Sequence, residues 1–196
     1  MKIGLLFGTF DPPHAAHVAI AEHMRRAQGL DQVWLVVTPL NPFKQDRHIS
    51  TEQHRLAMTS LAVHDHPGVE SCGFELDLPK PNYTVDTLRF MRQRWPEHRF
   101  ALIMGSDNLE GFQRWKDPEE ILDHHDVLVY PRPGAEMHVA VSAFKDHPRV
   151  HLVADAPVLE VSSTRVREEF ASGRYPVGAV APEVIQYIRE QALYRD

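Results

Sequence analysis

The sequence predicts an α/β protein built on an open, mostly parallel sheet with helices on both faces. Two observations carry that reading. Short apolar, β-branched runs alternate with amphipathic stretches along the whole chain. The chemically unusual residues collect after the strands, whereas Asp31 and Asp126 lead into strands from short, plain loops. Ile3–Phe7 is the first strand, followed by a helix from about Ala15 to Gln28 that Gly29 stops. Val33–Val37 is the second strand, ended by Thr38-Pro39-Leu40-Asn41-Pro42, and Ser50 with Gln53 reads as a capping box for a helix to about His64. A weaker, shorter strand lies near Val69–Leu78. Thr84–Trp95 is helical, and Phe100–Met104 is a buried strand closed by Gly105. Asp117-Pro118 supplies a cap and a first-turn proline for a short helix to His124. Val127–Tyr130 and Val150–Val153 are strands, Ser162–Ser172 is a helix, and a last helix runs from near Pro182 to about Leu193.

The 196 residues suit one core and a single domain over 1–196, with no internal repeat or linker. An apolar fraction of 43% and a charged fraction of 24% are those of a soluble globular protein. No apolar run approaches the ~18 residues of a membrane helix, and the N-terminus lacks a signal-peptide layout. One cysteine, Cys72, excludes an internal disulfide and points to a reducing compartment, so the expected location is the cytoplasm. A formal net charge of −6 argues against nucleic acid as a partner but not against a nucleotide, for which a few local cations suffice. Lys44, Arg47, Arg165 and Arg167 are the candidates. A homo-oligomer is compatible with the sequence.

The most informative stretch is Gly8-Thr9-Phe10-Asp11-Pro12-Pro13-His14-Ala15-Ala16-His17, directly after the first strand. It turns through two prolines and opens a helix whose unpaired backbone N–H groups favour anions. His14 and His17, at i and i+3, share one helix face, so both rings can address one ligand. Taken alone, such a pair is more often a surface, cap or metal pair, but no Cys, Asp or Glu cluster offers further metal ligands. The backbone amides of Gly8, Thr9 and Phe10 suggest a nest for phosphate oxygens instead. By the rule for open parallel sheets, Gly8–His17, Pro39–Lys44, Gly105–Asn108 and Arg132–Gly134 should converge at the carboxyl edge.

The first segment resembles the nucleotide motif Gly-x-Phe-x-Pro-x-His-x-Gly-His of the nucleotidyltransferase superfamily, with Ala16 in place of its last glycine. Val161-Ser162-Ser163-Thr164-Arg165-Val166-Arg167 resembles the second motif, Ile-Ser-Ser-Thr-x-Ile-Arg. Asn82-Tyr83-Thr84-Val85-Asp86-Thr87-Leu88, Met104-Gly105-Ser106-Asp107-Asn108-Leu109, Trp115-Lys116-Asp117 and Arg132-Pro133-Gly134 are similar to the bacterial nicotinate-nucleotide adenylyltransferases. Thr38-Pro39-Leu40-Asn41-Pro42-Phe43-Lys44 matches the phosphate-contacting segment of that family.

The resemblance implies a Rossmann-like fold of the nucleotidyltransferase type. It implies adenylyl transfer from ATP to nicotinate mononucleotide, with Mg²⁺ accompanying ATP. By the same resemblance, His14, His17, Lys44 and Arg167 act on the phosphates, with His17 at the α-phosphate. Gly8, Thr9, Phe10, Gly105, Asp107, Ser163 and Thr164 hold ATP, Asp107 through the ribose hydroxyls. Thr84, Trp115 and Arg132 receive the mononucleotide, Trp115 by stacking on the pyridine ring. No protein ligand to a metal is implied. Ala16 adds a methyl group where glycine allows close approach of the nucleotide, which predicts a shifted or weaker grip. Two alternatives stand beside this reading: preference for nicotinamide mononucleotide, and a non-catalytic nucleotide-binding regulator.

Overall fold

The computed structural model describes residues 1–39, 49–132 and 142–195. Its sheet has six parallel strands in the order β3-β2-β1-β4-β5-β6. In chain order these are β1 (Lys2–Gly8), β2 (Gln32–Val37), β3 (Val69–Cys72), β4 (Arg99–Gly105), β5 (Val127–Tyr130) and β6 (Val150–Leu152). The helices are α1 (Ala15–Ala27), α2 (Glu52–Val63), α3 (Thr84–Arg94), α4 (Ser106–Gly111), α5 (Pro118–His124), α6 (Ser163–Ala171) and α7 (Pro182–Glu190).

Alternation along the strands builds both faces. Leu6 of β1, Leu35 of β2, Ile103 of β4 and Leu128 of β5 join a core with α1, α2, α6 and α7. Their neighbours Leu5, Val36, Leu102 and Val129 point the other way, into a core with α3 and α5. Strand order reverses between β1 and β4. The crevice above their carboxyl ends is the switch point at which open α/β sheets bind ligands.

Three expectations are corrected. Within Val69–Leu78 only Val69–Cys72 is strand, and Phe74–Asp77 forms a 3₁₀ turn. The cap of α2 is Thr51, whose hydroxyl accepts from His54 N–H at 3.4 Å. Because α2 begins at Glu52, Ser50 lies one residue before the cap, with its N–H donating to Asp11 and its carbonyl accepting from Arg55. Asp117 precedes α5 but makes no side-chain cap, since its left-handed backbone (φ 44°) departs from the extended geometry capping needs.

Candidate active site

β1 ends at Gly8, whose carbonyl accepts from Thr38 N–H at 2.9 Å and so ties the ends of β1 and β2 together. Phe10 then turns through a left-handed conformation (φ 49°) and buries its ring in the core. The side chain of Phe10 is therefore packing; its ring meets His17 edge-on at 4.9 Å. Arg55 of α2, 1% exposed, holds the same loop. Its Nη1 donates to the carbonyls of Thr9 and Thr38, both at 2.7 Å, and its Nε to that of Ser50 at 3.1 Å.

His14 caps α1 and is buried, while His17 one turn on is half-buried. Their rings stack with centroids 3.7 Å apart. The His14 backbone N–H donates to His17 Nδ1 at 3.2 Å. In a neutral ring that leaves the His17 proton on Nε2, as a donor for a ligand. Burial, reinforced by the Arg132 guanidinium, lowers His14 from the usual histidine value to about 4. Burial, then His14 and Arg132, keeps His17 well below the usual range. Both are neutral at pH 7, each with one N–H to give.

Ser163 and Arg167 of α6 bind the same loop from the far end of the chain. Ser163 Oγ donates to the Pro12 carbonyl at 2.9 Å, and Arg167 Nη1 donates to the Asp11 carbonyl at 2.6 Å. Arg167 Nη2 reaches Thr164 Oγ1 at 3.3 Å. The two motifs of the sequence reading thus form one surface at the carboxyl end of β1.

Across the switch point, Gly105 ends β4. A Cβ there would sit 2.8 Å from Arg132 Cγ and would displace the Asp107 carboxylate, so the glycine lets these two side chains lie close over the strand end. Arg132 Nε lies 3.5 Å from Asp107 Oδ1, and its charge is felt at both histidines and at Tyr130. Arg132 also lines a cavity of about 510 Å³ with Ala16, Ile20, Tyr130, Leu159 and Ser162. Ala16 is in its wall. His14 Nδ1 and Ser106 Oγ are buried without a hydrogen-bond partner among the described residues. They are two of six such atoms among the described residues, and these two lie beside the switch point.

Thr84 and Trp115 sit on the other side. Thr84 opens α3; Trp115 follows α4, half-buried, with its ring edge-on to Phe112 at 5.3 Å. Charge joins their segments. Lys116 Nζ binds Asp86 Oδ2 at 2.7 Å and lies 5.0 Å from the Tyr83 ring. Arg89 bridges Asp86 and Glu120, both at 2.7 Å. Glu75, buried and raised in pKa by that burial, accepts from Thr87 Oγ1 at 2.7 Å. Lys44 and Arg47 lie outside the described residues.

Sequence reasoning missed Arg55, and Tyr194, whose hydroxyl donates to Asp11 Oδ1 at 2.6 Å. One arginine in an amphipathic helix looks like any other. The available signal was its position in the buried stripe with Met58, Thr59 and Ala62.

Parallel strands in this order, with the loops of both motifs gathered at the reversal, define an open doubly wound α/β protein. A family model described as cytidylyltransferase-like matches residues 5–169. A Flavobacterium johnsoniae protein named "probable nicotinate-nucleotide adenylyltransferase" is 42% identical over 195 residues, covering 100% of both chains. A Salinibacter ruber protein of the same name is 41% identical over 196 residues, covering 100% of this chain and 98% of its own. The solved structure of a Plasmodium falciparum nicotinic acid mononucleotide adenylyltransferase complexed with NaAD superimposes with a TM-score of 0.78. It covers 98% of this chain and 97% of its own at 18% identity, a likeness of fold. The chain belongs to the cytidylyltransferase-like family and, within it, to the nicotinate-nucleotide adenylyltransferases.

Proposed function

We propose that the chain transfers the adenylyl group of ATP to nicotinate mononucleotide, releasing pyrophosphate and forming deamido-NAD in NAD biosynthesis. The observation that carries this is the neutral histidine pair opening α1, joined through Asp11 and Pro12 to Ser163 and Arg167 of α6. Relatives of that name at about 40% identity over the full chain support the choice of substrates.

The phosphate of nicotinate mononucleotide attacks the α-phosphorus of ATP. A new P–O–P bond forms, and the bond to the β-phosphate breaks, leaving as pyrophosphate. A phosphate monoester, with a second pKa near ~6, is already largely ionised at neutral pH, so no base is required. The work is alignment and charge stabilisation. His17 Nε2–H donates to the α-phosphate and His14 supports it. Being neutral and held by their neighbours, the rings need no reorganisation as charge develops. Arg167, Thr164 and Ser163 steady the leaving end, with Lys44 as a further cation.

The cavity walled by Ala16 and Tyr130 accepts the adenosine, with Asp107 exchanging Arg132 for ribose hydroxyls. Trp115 stacks on the pyridine ring, and the first turn of α3 at Thr84 offers donors to the carboxylate. Among the described residues no three His, Cys, Asp or Glu side chains form a metal cluster. Mg²⁺ accompanying ATP would neutralise phosphate charge beside the donors of His14, His17, Ser163 and Arg167.

The deciding experiment is pyrophosphate release with ATP and Mg²⁺, comparing nicotinate with nicotinamide mononucleotide at equal concentration. Strong preference for the acid is expected. Preference for the amide would reassign the acceptor, and release with neither would favour a nucleotide-binding regulator.

A further inference from the structure

The segment after α7 reaches the loop of Asp11, although it lies beyond residues 5–169 that match the family model. Tyr194, itself in a left-handed conformation (φ 60°), is half-buried, with its ring 6.2 Å from that of Phe170. Its hydroxyl donates to Asp11 Oδ1 at 2.6 Å. Asp11 is 2% exposed and sits three residues before His14. Its carboxylate also accepts from Ser50 N–H at 3.3 Å, while its carbonyl accepts from Arg167 Nη1 at 2.6 Å. One residue therefore takes the Tyr194 hydroxyl on its side chain and the Arg167 guanidinium on its main chain.

We propose that Tyr194 is a positioning residue for phosphate binding: by fixing the Asp11 carboxylate it sets the Asp11 carbonyl that aims Arg167 at the ATP phosphates. This rests on the adenylyl-transfer reading. The hydroxyl is a dependable donor, because burial and the Asp11 carboxylate push its pKa above the usual tyrosine value. Among the described residues, the Asp11 carboxylate has only Tyr194 and the Ser50 amide as hydrogen-bond partners, and the Arg55 guanidinium acts on it through charge. Without it the carboxylate is buried and under-satisfied, and it relaxes by turning the loop.

Tyr194→Phe removes the hydroxyl and keeps the ring. Turnover should fall about tenfold, and affinity for ATP and for α,β-methylene-ATP should fall by a comparable factor, in line with losing a hydrogen bond to a charged group. KM for nicotinate mononucleotide should stay within about twofold, because the pyridine side has other supports. The decisive readout is a double-mutant cycle with Arg167→Ala. If Tyr194 acts through Arg167, Tyr194→Phe costs less than about twofold in the Arg167→Ala background. Equal fold losses in both backgrounds, or wild-type kinetics for Tyr194→Phe, overturn the proposal. Measuring the cycle on α,β-methylene-ATP binding, with no acceptor present, separates it from the functional reading. An intact coupling alongside no turnover by the parent protein with either mononucleotide would refute adenylyl transfer and leave the positioning role standing.

Discussion

On the side proposed for the phosphates, Asp11, His14 and Arg55 are almost inaccessible, and the loop after β1 is held by groups from α2, α6 and the segment after α7. On the side proposed for the pyridine ring, Asp86, Arg89, Lys116 and Glu120 are partly open to solvent and hold the start of α3 to the Trp115 segment through ion pairs. The difference predicts how each side fails. A buried network stripped of one member leaves polar groups that water cannot reach, so damage spreads. An exposed pair that loses one member is re-solvated, and damage stays local. Substitutions on the phosphate side should therefore be large and coupled, those on the pyridine side modest and confined to one substrate.

The largest effect belongs to Arg55. Arg55→Ala abandons the carbonyls of Thr9, Thr38 and Ser50 in a dry interior and opens a cavity. The expected loss of stability is about 3–5 kcal/mol, read as a lower denaturation midpoint. A change below about 1 kcal/mol would mean that water already reaches the loop, and would dissolve the contrast between the two sides.

Next comes His17. Its ring is placed by the His14 amide and its remaining proton sits on Nε2, so His17→Ala removes one preorganised donor. Turnover should drop at least about a hundredfold with the fold intact. Near-normal turnover would reduce the histidine pair to a helix cap.

Both His17 and the strands were legible in the sequence, for different reasons. The strands follow from short continuous apolar runs such as Ile3–Phe7, the mark of strands buried on both faces, which needs no knowledge of partners. His14 and His17 were legible because the motif is continuous and i, i+3 spacing fixes a shared face. Arg55 and Tyr194 were not, because their importance lies wholly in contacts with Thr9, Thr38 and Asp11, which no local pattern encodes. The capping assignment at Ser50 was off by one residue, because the neighbouring Thr51 hydroxyl offers the same local signature and α2 begins at Glu52. Asp117 shows a backbone reason instead, a left-handed turn that denies a good capping residue its cap.

Acid sensitivity should also follow from burial. His14 and His125 are held at about 4 in the folded protein, each chiefly by burial, against a usual value of 6.5. Below about pH 6.5 the unfolded chain takes up protons that the folded chain refuses until about pH 4, so stability falls across that window as pH drops. By pH 5 each site costs about 2 kcal/mol relative to pH 7. Denaturant midpoints at the two pH values measure it, and a flat profile would show that neither ring is sealed from solvent.

The smallest effect tests the pyridine side. Trp115 is half-buried and touches Phe112 edge-on, so its truncation removes some packing but leaves the core beneath it, where Phe112 is fully buried. Stacking of an aromatic on a ligand ring is worth about 0.5–1.5 kcal/mol beyond burial, roughly a three- to tenfold loss of affinity. Trp115→Ala should raise KM for nicotinate mononucleotide by that factor and leave the affinity for ATP alone. The ion pairs of Asp86 with Arg89 and Lys116 still hold the start of α3 in that variant, so its segment does not carry the damage across the switch point. Equal weakening toward both substrates would place Trp115 in the packing that supports β4 and Gly105. In that case the pyridine side, like the phosphate side, would be a coupled network, and exposure alone would not separate the two.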